Sequence, residues 1–133
     1  MATLGINRTQ AADKLTNLWA SHEACVAQRL EARDREALDK LAKFLNVPKH
    51  VRTSLDWAYE REYARAGDLG ATPEAIAWDA CYDAAKGYVL ACIEALRATA
   101  VYDYSESRRK AARFEGLCAG HYFAALELRG VAH

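Results

Sequence analysis

The sequence predicts an all-α protein, a compact bundle of four to five helices with a long central fourth helix. Three observations favour this fold class. Apolar residues recur at three- and four-residue spacing along most of the chain, as on one side of a helix. No segment alternates apolar and polar residues as a strand does, and no Asn-Gly or Asp-Gly pair marks a hairpin turn. Both prolines, Pro48 and Pro73, stand where a helix is expected to begin.

A run of charge separates the first two predicted helices. The first helix begins after Asn7, and its inward stripe is formed by Ala11, Leu15, Leu18, Trp19, His22, Cys25, Val26 and Leu30. The charged residues 31–36 interrupt this stripe, so either the helix continues as a solvated stretch or a new one starts near Asp34. The second helix ends at Asn46, and its buried residues are Leu38, Leu41 and Leu45.

The third and fourth predicted helices each start at a proline. The third starts at Pro48, and one side of it carries Val51, Leu55, Ala58, Tyr59 and Glu62. Residues 66–71 contain two glycines and predict a loop. The fourth helix starts at Pro73, with Thr72 as its N-cap, and runs to about Val101. Its apolar face is too wide for a surface helix, which predicts a central position; this face comprises Trp78, Cys81, Tyr82, Ala85, Val89, Cys92 and Leu96.

Residues 102–105 predict a break or a kink after the fourth helix. The fifth helix follows and ends at Gly130, and its predicted inward residues are Phe114, Leu117, Cys118, His121, Ala125 and Leu128. A chain of 133 residues with 52% apolar residues is long enough to bury one core, so residues 1–133 are expected to form a single helical domain.

Charge and cysteine usage favour a cytoplasmic protein that does not act chiefly on nucleic acid or membranes. The 18 basic and 18 acidic residues cancel, whereas proteins that coat nucleic acid or anionic membranes carry a strong positive charge. The N-terminus has no basic segment followed by an apolar run, so no export signal is expected. The four cysteines form no CxxC pair and are expected to be reduced thiols.

Two His/Cys pairs have a spacing that metal ligands also use. His22 and Cys25 are three residues apart on the first helix, and Cys118 and His121 are three apart on the fifth. If the two pairs met, they would supply the Cys2His2 ligands of a zinc site and give a zinc-stabilised bundle. Cysteine on an inward stripe more often packs as a small apolar residue, so core packing is the favoured interpretation and no cofactor is expected.

A nucleic-acid interpretation begins with the second and third helices. They are joined by a short turn, and Lys49, His50, Arg52 and Thr53 lie at the start of the third helix, where a helix-turn-helix protein presents its DNA-contacting residues. The proline in the turn and the acidic residues that follow weaken the likeness. A DNA-binding regulator is therefore the alternative hypothesis.

The leading hypothesis is a non-enzymatic protein-binding module. The sequence has no GxGxxG, GxxxxGK or HExxH motif, and its densest charge is a basic run beside two tyrosines. Arginine and tyrosine are enriched at the energetic centres of interfaces. The residues expected to contact a partner protein, or a second copy in a homodimer, are Arg108, Arg109, Lys110, Arg113, Tyr102 and Tyr104. Small proteins without motifs are often inhibitors or adaptors, for example a phage or mobile-element protein that blocks a host defence complex, as anti-CRISPR proteins do.

Overall fold

A computed structural model of the protein describes residues 6–28, 32–64 and 72–130, with side chains at 7–28, 36–59 and 72–130. Within these ranges the chain forms five α-helices and no strand, which confirms the all-α bundle. The helices are α1 (Ile6–Gln28), α2 (Ala32–Leu45), α3 (Lys49–Ala64), α4 (Pro73–Arg97) and α5 (Val101–Arg129). The predicted loop at 66–71 and the predicted core residue Leu30 lie outside the described residues.

Helix α4 is the central element, as predicted, because it packs against α1, α3 and α5. Helix α2 completes the bundle by packing against α1 and α3. The buried side chains of the described residues form one cluster that includes Leu15, Leu41, Leu55, Trp78 and Val89. No helix in the described ranges is both long enough and apolar enough to cross a membrane.

Helices α2, α4 and α5 begin or end at residues whose type is typical of helix ends. Thr72 accepts a hydrogen bond from the backbone N–H of Ala75 at 3.1 Å, and Pro73 opens α4 as predicted. Helix α2 ends before Asn46, whose φ of 53° is a left-handed conformation that Asn tolerates. Gly130 closes α5 at a φ of 79°, where a side chain would be strained.

The predicted break at 102–105 is wrong. Helix α4 ends at Arg97, and α5 begins at Val101, so the break lies at residues 98–100 and the four residues 102–105 are helical. Two charged contacts flank the turn, since Arg97 pairs with Asp13 of α1 at 3.1 Å and Lys110 reaches Glu94 at 3.3 Å. The short connection makes α4 and α5 an antiparallel pair.

A glycine allows the close approach of α4 and α5. A Cβ placed on Gly87 would lie 2.5 Å from two carbons of the Phe114 ring, which is closer than carbon atoms can pack. Small residues on α5, at a seven-residue spacing, face inward beside this contact: Ala111, Cys118 and Ala125 are all buried. The α4–α5 contact therefore depends on the absence of a side chain at position 87.

Candidate functional site

The basic residues that the sequence singles out lie on the first half of α5, and all four are exposed. Arg109 forms an ion pair within α5, and Lys110 reaches across to Glu94 of α4. Arg108 and Arg113 form no ion pair with any side chain that the structure describes. Two of the four cations thus have no carboxylate within ion-pair distance among the described side chains.

The two tyrosines of this region have different environments. The ring of Tyr102 is 72% exposed. Tyr104 is half-buried, and the guanidinium carbon of Arg8 lies 4.6 Å from its ring centroid. Arg8 also donates a hydrogen bond to the carbonyl oxygen of Ala95 at 2.5 Å. Tyr104 therefore helps to fasten α1 to the α4–α5 pair, and only Tyr102 is open to a partner. We call Tyr102, Arg108, Arg109, Lys110 and Arg113 the basic surface.

The second half of α5 exposes large apolar side chains. Leu117 is 48% exposed, Phe123 47% and Leu128 55%. The sequence predicts that Leu117 and Leu128 face inward. This prediction is wrong, because the small residues Ala111 and Cys118 set which side of α5 faces α4. Exposed single aliphatic residues are common, but several on one helix beside a basic surface are typical of protein-binding sites.

Two glycines, Gly116 and Gly120, lie on the exposed side of α5 near these apolar residues. A Cβ placed on Gly116 or Gly120 would meet no described atom within 4 Å, in contrast to the crowded Gly87. Each glycine in a helix interior lowers stability by about 1 kcal/mol relative to alanine. The packing of the described residues therefore gives no reason for either glycine. Neither glycine was predicted to be functional, because glycine has no side chain to contribute to a polar or an apolar pattern.

The residues of the nucleic-acid alternative lie at the start of α3 and differ in exposure. Lys49 is exposed, whereas His50 is half-buried with its ring centroid 6.3 Å from that of Tyr122. Arg52 forms an ion pair with Asp39 of α2, and Thr53 is half-buried in a cleft between α3 and α4. Of the four side chains, only that of Lys49 is an exposed cation without an ion pair to any described side chain. The start of α3 therefore offers few groups that could contact the bases or phosphates of DNA.

The two His/Cys pairs of the zinc hypothesis are not brought together. Helix α4 lies between α1, which carries His22 and Cys25, and the second half of α5, which carries Cys118 and His121. In the described part of the chain, no group of three or more His, Cys, Asp or Glu side chains is placed to hold a metal ion. The spacing was compatible with a shared site, but the order of helices across the bundle separates the pairs.

His22 instead belongs to a buried aromatic contact. It is 0% exposed, and its Nδ1 lies 2.8 Å from the hydroxyl oxygen of Tyr59. Its ring centroid is 5.1 Å from that of Trp19. Its Nε2 has no hydrogen-bond partner among the described residues. Burial lowers the pKa of His22 from 6.5 to about 4, so the imidazole is neutral at physiological pH.

Cys118 belongs to a second buried polar cluster, at the junction of α3, α4 and α5. The Ser54 hydroxyl lies 2.6 Å from the sulfur of Cys81 and 3.3 Å from that of Cys118. The hydrogen bond shared with Cys81, together with burial, raises the pKa of Cys118. The hydrogen bond from Cys118, and a further one from Ser54, lower the pKa of Cys81. Both sulfurs belong to residues that are 0% exposed and so cannot be reached by a substrate, which makes this cluster better suited to packing than to covalent catalysis.

The described surface includes a cleft beside Trp57 and a groove between α4 and α5. A cleft of about 60 Å³ is bounded by Trp57, which stacks on Trp78 at 5.9 Å between centroids, and by Arg129. Pockets for small molecules usually exceed about 300 Å³, so this cleft is too small for one. A surface groove of about 290 Å³ between α4 and α5 is lined by Ala80, Asp83, Ala84, Phe114, Leu117 and His121. This groove borders the exposed apolar residues of α5.

Comparisons with protein-family models, with curated proteins and with solved structures find no match to this chain, so any functional proposal rests on the geometry above.

Proposed function

We propose that the chain is a non-enzymatic protein-binding module, of the inhibitor or adaptor type, that binds its partner through the exposed side of α5. One observation carries this proposal: the basic surface and three large apolar residues are exposed along one helix. Cations beside exposed apolar side chains match a partner surface that has acidic residues beside an apolar patch.

The chemistry of the exposed residues supports the proposal. Tyr102 offers a large ring at 72% exposure, and arginine adds planar, bidentate hydrogen bonding to carboxylates. The helix is rigid where it presents these residues, because its other side is packed against α4. A preorganised surface loses little conformational entropy on binding. A cytoplasmic location is part of the proposal and is supported by the four cysteines, which are all free thiols.

The test compares two variants with the same change in charge. Arg108→Glu/Arg113→Glu reverses two exposed cations that have no ion pair among the described residues, so the fold should be retained. Lys43→Glu/Lys49→Glu reverses two exposed cations that lie on α2 and α3. Tagged full-length proteins are incubated with nuclease-treated lysate, and the captured proteins are quantified by mass spectrometry.

We expect a protein that the wild type and the lysine variant capture equally and that the arginine variant loses. Capture that is the same for all three proteins would refute the proposal. The absence of any captured protein would also refute it if the chain is monomeric in solution. The lysine variant also tests the nucleic-acid alternative, because Lys49 is its one exposed cation. A separate gel-shift assay with duplex DNA supplies this readout, and DNA binding that only the lysine variant loses would favour the alternative.

A further inference from the structure

The exposed side of α5 carries a row of six residues that we call the α5 stripe. Its members are Arg109, Arg113, Gly116, Gly120, Phe123 and Glu127, and all six are exposed. Their spacing alternates between four and three residues, which keeps them on one side of a helix. The row spans about 27 Å at the rise of an α-helix. It therefore offers a continuous surface with the dimensions of a helix–helix contact.

The stripe is complementary to itself when two copies run antiparallel. Its residues form three pairs, each equidistant from position 118: Gly116 with Gly120, Arg113 with Phe123, and Arg109 with Glu127. A two-fold axis at this position would bring each residue opposite its pair in the other copy. In the parallel orientation, by contrast, Arg109 and Arg113 would face the same arginines of the second copy.

We propose that the partner of the α5 stripe is a second copy of this chain, bound antiparallel about position 118. This inference rests on the proposed function, since it names a partner for the same exposed helix. Arg109 of each copy then pairs with Glu127 of the other, and Arg113 lies against the other copy's Phe123 ring, an arrangement that favours cation–π attraction. The two glycines meet at the centre, where the absence of side chains lets the helices approach closely.

Three residues of the stripe already have contacts within the chain, which dimerisation would exchange for contacts between copies: Arg109, Phe123 and Glu127. Arg109 is 70% exposed and pairs with Glu106 of its own helix, and such exposed pairs within a helix are weak. Phe123 is 47% exposed although it lies edge-on to Tyr122 at 5.5 Å between centroids. Leu117 and Leu128 are exposed beside the stripe and would be partly covered in the dimer. Tyr102 lies beyond the overlap and would remain exposed at each end.

Sedimentation velocity on the full chain, from about 1 µM to about 1 mM, measures the association directly. We expect the wild type to shift from monomer to dimer within this range, because one helix pair buries less area than a typical stable interface. Arg109→Glu and Glu127→Arg should each weaken dimerisation by about tenfold or more, since each change affects two symmetric pairs. The double variant Arg109→Glu/Glu127→Arg should restore it.

A second variant separates loss of association from loss of folding. Gly116→Leu/Gly120→Leu introduces two better helix formers at positions where the described residues leave open space. The monomer should therefore melt at the same temperature or higher, while the dimer is lost. A dimer that persists in this variant would overturn the proposed geometry, as would failure of the double charge swap to restore association.

A wild type that stays monomeric across the range would overturn the second-copy assignment. The proposed function is judged separately by the capture experiment. Capture that depends on Arg108 and Arg113 would show that a monomeric chain still binds another protein. A monomer without such capture would overturn both.

Discussion

Acidification should destabilise this protein through one buried side chain, His22. The ring is 0% exposed, and its Nε2 has no acceptor among the described residues. Protonation would place a positive charge and an unsatisfied N–H in the core, which is why burial lowers the pKa of His22 from 6.5 to about 4. In the unfolded chain the same imidazole titrates near 6.5.

The sign and the size of the effect follow from that difference in pKa. Below about pH 6.5 the His22 imidazole binds a proton in the unfolded chain but not in the folded chain. The free energy of unfolding therefore decreases as the pH falls. The loss amounts to about 2 kcal/mol between about pH 7.5 and about pH 5, and it approaches 3 kcal/mol near pH 4, below which it levels off. This is a substantial share of the stability of a typical domain.

Urea denaturation at several pH values, followed by tryptophan fluorescence, provides the assay. The informative comparison is His22→Phe/Tyr59→Phe, which replaces both members of the hydrogen-bonded pair by apolar rings of similar shape. We expect this variant to lose about 2 kcal/mol less than the wild type between about pH 7.5 and about pH 5. His121→Gln, which removes a half-buried histidine from α5, serves as the control. Equal losses in the wild type and the His22 variant would refute this reasoning.

Three further predictions concern the packing of α4 and its neighbours. Gly87→Ala should lower the free energy of unfolding by about 1 to 2 kcal/mol in urea denaturation, because the clash with the Phe114 ring outweighs a gain of about 1 kcal/mol in helix propensity. In a Phe114→Leu background, the same change at position 87 should be neutral or stabilising. Thr72→Ala should lower stability by about 1 kcal/mol through loss of the α4 cap, and a Thr72→Ser variant that behaves like the alanine variant would contradict this role. Cys118 should react with a thiol reagent at about pH 8 only as fast as local unfolding exposes it, because a shared hydrogen bond with Cys81 and burial raise the pKa of its thiol. Labelling is followed by mass spectrometry, and rapid labelling of Cys118 in the native state would argue against this.

The sequence predicted helix positions well where local chemistry decides them. The N-cap Thr72 followed by Pro73 predicted the start of α4 because the cap and the fixed φ of proline act within one turn. The break at 98–100 was missed because it contains neither glycine nor proline. The tyrosine-rich segment at 102–105 drew attention instead, although tyrosine and serine are tolerated in a helix.

The orientation of α5 was predicted only in part from its own residues. Cys118 and Ala125 are buried as predicted, but Leu117 and Leu128, which were predicted to face inward with them, are exposed. The helix approaches α4 closely, and that requirement comes from the surface of the neighbouring helix. The separation of the two His/Cys pairs has a similar origin, since it depends on which helices are neighbours in the bundle.

The contrast between the glycines on α4 and α5 is the strongest physical argument that α5 has a partner. The loss of helix propensity at Gly87 is offset inside the molecule, where a side chain would overlap the Phe114 ring. Gly116 and Gly120 carry the same loss, about 1 kcal/mol each, without any described neighbour that needs the space. Residues that lower the stability of a fold without serving its packing are typical of sites where function constrains the sequence. A close contact with another helix would use both glycines, and it would cover Phe123 and Leu117 at the same time.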